Sequence, residues 1–71
     1  MDNAREMPIG FVFSLALNKD AMNYYSTLDN IVKNNIKSFI QNNSSGIEAK
    51  EKIDIAIKSL ENNSIDFLKE Q

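Results

Sequence analysis

Cysteine and histidine are missing from this chain, and their absence removes whole classes of chemistry at once. Without cysteine there is no disulfide, no thiolate nucleophile and no clue to redox compartment. Without either residue a structural zinc site cannot be assembled, and the usual nucleophile–base arrangements have no base. Glycine occurs only at Gly10 and Gly46, too far apart to form a phosphate-cradling loop. Arginine occurs once, at Arg5, and there is no basic cluster of the kind that engages a phosphate backbone. Period-two runs and hairpin dipeptides are also lacking, so no strand is expected.

What remains is short. Seventy-one residues make one domain, 1–71, near the lower limit for folding alone, since a chain of this size buries only about 60% of its unfolded surface. With no disulfide or metal to help, adequate stability requires a well-packed helical core or self-association. Eight Lys+Arg stand against ten Asp+Glu, scattered along the chain, for a net charge of −2. Ten asparagines and nine isoleucines, with lysine preferred to arginine, are the mark of an AT-rich genome. The asparagine pairs, and the glycosylation sequons at Asn42, Asn43 and Asn62, read as products of that composition.

One stretch stands apart. Met7-Pro8-Ile9-Gly10-Phe11-Val12-Phe13-Ser14-Leu15-Ala16-Leu17 is apolar almost throughout. A buried helix is the leading reading, entered at Pro8, whose fixed φ suits a helix start. An interfacial membrane segment and a secretory signal are the other two. The run is too short to span a bilayer, and the preceding Asp2-Asn3-Ala4-Arg5-Glu6 is more acidic than basic, with no small-x-small cleavage site afterwards. A cytoplasmic location is the corresponding expectation. Residues 1–6 are polar and aperiodic, and a frayed start is expected there.

Downstream, the punctuation is that of helices. Asn18 reads as an N-cap, with Asp20 in the first turn and Ala21, Met22, Tyr25 and Leu28 on one face. The alternative is a first helix running straight through Asn18. Asp29 can cap a helix whose stripe is Val32, Ile36, Phe39 and Ile40. Asn42-Asn43-Ser44-Ser45-Gly46 is the strongest loop signal. Ser45 and Glu48 have capping-box spacing and open a helix with Ala49, Ile53, Ala56, Ile57 and Leu60 on one face. Glu48–Lys52 and Asp54–Lys58 have the favoured i,i+4 order. Asn62-Asn63 ends that helix, and Ser64 starts a short helical segment over 64–71 that docks through Ile65, Phe67 and Leu68. The expected fold is an all-α bundle of about four helices, with the apolar N-terminal helix at its centre and short loops joining antiparallel neighbours.

No constellation of residues calls for catalysis. The carboxylates are dispersed on solvent-facing helix positions rather than paired in a dry pocket, so no enzyme activity, cofactor, metal or small-molecule substrate is expected. Tyr24-Tyr25 is the most suggestive polar–aromatic feature. Tyr25 lies on an apolar stripe, whereas Tyr24 falls off it and could anchor a contact surface. The loop at 40–46 invites comparison with helix-turn-helix DNA readers, but the would-be reading helix opens Gly46-Ile47-Glu48-Ala49-Lys50-Glu51-Lys52, with acids among the lysines.

From Leu17 to Leu60 the spacing has a counterpart. Asn18 opens a helix ending in Tyr24-Tyr25 and Leu28, the next helix carries Phe39-Ile40 near its end, and the last carries Ile53, Ala56-Ile57 and Leu60. This arrangement resembles the C-terminal helical module of the YdeI/OmpD-associated, or bacteriocin-protection, family. Glu48, Ala49, Glu51 and Lys52 stand where that module has a threonine and several arginines, and Asn43-Ser44 where it has an alanine–lysine pair. The opening Met7-Pro8-Ile9-Gly10-Phe11 also resembles that of short standalone bacterial proteins. The resemblance implies a role in stress or peptide tolerance without a biochemical activity attached to it.

The residues themselves point to a non-catalytic interaction module that binds a protein partner or itself. Phe11, Val12, Phe13, Leu15 and Leu17 face too many directions for one thin bundle to cover. Phe11, Val12, Leu15 and Tyr24 are the expected contact residues. DNA binding is the alternative, and membrane-surface association, which lacks a basic polar face here, is the third reading.

Overall fold

A computed structural model describes residues 8–42 and 46–70, which form four α-helices and a closing 3₁₀ turn, with no strand among the described residues. The helices are α1 (Ile9–Leu17), α2 (Lys19–Ser26), α3 (Asn30–Gln41) and α4 (Gly46–Glu61), and the 3₁₀ turn spans Asp66–Glu70. The expected fraying of residues 1–6, the turn at Asn43-Ser44 and the Ser45 half of the capping box lie outside the described residues.

Each boundary has a local cause. Pro8 is the N-cap of α1, and its carbonyl accepts from the N–H groups of Phe11 and Val12, each at 3.1 Å. Asn18 adopts an extended backbone (φ −125°, ψ 96°), which ends α1. Its Oδ1 accepts from the Ala21 N–H at 3.1 Å, satisfying one of the donors that a helix start leaves unpaired. The alternative of one helix passing through Asn18 is therefore set aside. Asp29 repeats the device for α3, its Oδ1 accepting from the Val32 N–H at 3.0 Å.

α4 ends at asparagine too. Asn63 lies in the left-handed region (φ 58°), the Asn63 N–H donates to the Leu60 carbonyl, and the Ser64 N–H donates to the Ser59 carbonyl, both at 2.9 Å. That pair of bonds is a Schellman ending, in which a residue at positive φ lets the chain turn back and satisfy the last carbonyls.

α4 packs against every other element, and its interface with α2 is the most extensive. Ala21 of α2 and Ala56 of α4 are both fully buried. Side chains that stop at Cβ let helix axes come close. α4, rather than α1, is therefore the central helix, which corrects the expectation drawn from the apolar run. The physical reason is that a central helix needs several usable sides, and α4 is the longest, while α1 is nine residues and packs on α4 and α2. The all-α bundle itself is as expected.

The core consists of Phe11, Leu15, Ala21, Ile36, Ile40, Ala56, Leu60 and Phe67. Two edge-to-face ring pairs organise it. Phe11 meets Tyr25 with centroids 5.6 Å apart at 76°, and Phe39 meets Phe67 at 5.1 Å and 67°. The second pair holds the 3₁₀ turn against α3. Lys52 of α4 donates to the Asn42 carbonyl at the end of α3 while its ammonium lies 5.3 Å from the Phe39 ring centre, so it closes that corner by charge as well as by packing. At the opposite corner the Asn18 amide donates to Glu61 Oε1 at 3.0 Å, tying the start of α2 to the end of α4.

Candidate interaction surface

Apart from the half-buried Ser14, α1 is apolar all round, so helical geometry divides it into two apolar faces rather than one apolar and one polar. Phe11 and Leu15, four residues apart, point inward and are 0% and 4% exposed. The residues at 9, 12, 13 and 16 follow i, i+3, i+4, i+7 spacing and lie together on the outward side, with Leu17 extending their line. Their exposure decides the matter: Ile9 is 71%, Val12 45%, Phe13 64% and Leu17 89% exposed, and Ala16 is exposed beside them. No residue from Met7 to Leu17 is charged.

The helix is held in this orientation by a close approach. A Cβ added at Gly10 would meet Ile53 Cδ1 of α4 at 3.1 Å, inside ordinary van der Waals contact. With the Gly10 side of α1 against α4 and the Phe11 ring against Tyr25, α1 has little freedom to turn its outer face inward. The remaining large exposed side chains, Met22, Ile31, Ile47 and Ile55, are distributed over α2, α3 and α4. Single apolar residues on a surface are ordinary. Four on one nine-residue helix are not.

The four expected contact residues fall in different places. Val12 is on the outward face. Phe11 and Leu15 are not contact residues: they form the inward stripe and are consumed by the core. Tyr24 is half-buried and packs against that core together with Tyr25, so it is a flank of the bundle rather than a free anchor. Met22, expected on the buried stripe of α2, is instead exposed, because the buried line runs Ala21, Tyr24/Tyr25, Leu28. Ile9, Phe13 and Leu17 are the additional surface residues. The 3.6-residue period relates them to Val12, but it assigns the inward side only when one face is polar, and here neither is.

No cleft or cavity is found among the described residues, and no group of three or more acidic, histidine or cysteine side chains is placed to hold a metal. The Tyr25 hydroxyl is pushed up from 10.0 by burial. On the opening turns of α4, where a DNA reader would present cations, Lys52 is turned to Asn42 and Phe39, while Lys50 is exposed between the exposed acids Glu48 and Glu51. Comparison with models of known protein families, with curated proteins and with solved structures returns no match.

Proposed function

We propose that this protein is a non-catalytic binding module acting in the cytoplasm, and that it engages a protein partner or itself through the outward face of α1. One observation carries the reading: Ile9, Val12, Phe13 and Leu17 form a continuous, uncharged stripe that no described element covers. Leaving such a stripe in water forfeits the stabilisation of burial, about 25 cal/mol for each Å² of apolar surface. Patches of several hundred Å² on small proteins are commonly where partners bind. No described helix is long and apolar enough to cross a membrane. A role in stress or peptide tolerance is what the family resemblance adds to this reading.

The test is affinity capture from the cells that make the protein, comparing wild type with Phe13→Glu and with Ile47→Glu as a control elsewhere on the surface. Both positions are exposed, so the bundle should be undisturbed. The reading expects bound species, including untagged copies of the chain, to be lost with Phe13→Glu and retained with Ile47→Glu. Identical captures from all three would contradict it. Phe11, being fully buried, is unsuitable for this purpose, since a charge there would unfold the protein.

A further inference from the structure

Resting on that reading, we infer that the occupant of the α1 face is the same face of a second copy, packed antiparallel about a two-fold axis between positions 12 and 13. Three features of the stripe carry this. The first is its size pattern. A two-fold interface must be self-complementary, residue i meeting j while j meets i. Reversing the stripe about its midpoint exchanges positions 9 and 16, so the large Ile9 falls opposite the small Ala16 of the second copy at each end. Val12 and Phe13 lie on either side of the axis, each beside its own counterpart. Large opposite small is what lets two helix surfaces interdigitate.

The second is charge. The stripe carries none, so a charged peptide finds no ion-pair partner on it, and the net negative charge of the chain (pI ≈ 4.9) disfavours an anionic membrane. An identical neutral face is matched without any.

The third is area. With Ile9, Val12, Phe13 and Leu17 between 45% and 89% exposed, the stripe leaves on the order of 500 Å² open to solvent. Even with all of it buried, two copies would remove only about 1,000 Å², the threshold for a specific interface and short of the roughly 1,200 Å² of a stable one. The dimer therefore belongs to the weak, reversible class.

The chain's lack of cysteine makes the geometry testable by introduced pairs. Under oxidised glutathione, Val12→Cys chains should cross-link to each other rapidly. Ile9→Cys chains alone should not, because positions 9 of the two copies lie about 10 Å apart along the helix axis. A mixture of Ile9→Cys and Ala16→Cys chains should form the mixed disulfide. Ile47→Cys serves as the diffusional control, and unfolding of each variant is checked by circular dichroism. In sedimentation equilibrium the wild type should gain mass with concentration, and Phe13→Glu should weaken association by more than about tenfold by placing two like charges at the axis.

Cross-linking of Ile9→Cys alone as fast as Val12→Cys, or of Ile47→Cys at that rate, would overturn the antiparallel seam. So would a strictly monomeric wild type, or Phe13-dependent binding to phosphatidylcholine–phosphatidylglycerol vesicles without self-association. If the wild type is monomeric but capture still depends on Phe13, the dimer falls and the binding-module reading stands. If capture is also indifferent to Phe13, both fall.

Discussion

Tyr25 shows how several small effects converge on one side chain. Its ring meets Phe11 edge-to-face, the Lys33 ammonium lies 5.3 Å from its centre, and its hydroxyl is held protonated beyond the usual value by burial. A folded-state pKa above the unfolded value of 10.0 means that the folded chain holds this proton more tightly. The associated stability is complete below pH 10 and is lost as pH rises through the folded pKa. Urea midpoints measured from pH 8 to 11.5 should therefore fall more steeply above pH 10 in the wild type than in Tyr25→Phe, which keeps the ring and removes the ionisation. Parallel profiles would show that the hydroxyl is as well solvated folded as unfolded.

At the scale of the element, what matters is how helices start and stop, and here asparagine carries more than composition suggested. Asn18 stops one helix and starts another, and Asn63 occupies the left-handed position that ends α4. In that conformation a Cβ crowds the following carbonyl, glycine escapes the clash, and asparagine tolerates it. Asn63→Ala should destabilise the protein by about 1 kcal/mol, lowering the melting temperature by about 4–8 °C, whereas Asn63→Gly should match or slightly exceed the wild type. Thermal melts of the two variants check this, and equal losses in both would mean that the asparagine side chain, not the backbone angle, carries the effect.

The caps at Asn18 and Asp29 were legible in the sequence because cap chemistry is local: an acceptor three residues before an amide it can reach. The stripes of α3 and α4 were legible because each has one apolar face and one polar. The central helix was not, since Met7–Leu17 advertised hydrophobicity while centrality depends on which helix offers packing surface on several sides. For the same reason the contact surface was only half legible. Phe11 and Val12 are neighbours of equal apolar character, and only the approach of Gly10 to Ile53 and the Phe11–Tyr25 pair decide that one is core and the other surface.

At the scale of the whole molecule, the chain resolves the difficulty of being small in two stages. Among the described residues it closes a core of eight buried side chains around α4 without cysteine, with two aromatic pairs and the Asn18–Glu61 and Lys52–Asn42 bonds at its corners. It then has apolar surface left over on one side of α1, which no element of the same chain covers among the described residues. That remainder is the proposed contact surface, and its self-association can be observed directly. A dilution series followed by ¹H–¹⁵N correlation spectra should move the amide resonances of Ile9, Val12, Phe13, Ala16 and Leu17 together, on one binding curve, while those of Ile31 and Ile47 stay fixed. Spectra that do not change with concentration, or changes centred on α3 or α4 with α1 silent, would contradict self-association through this face.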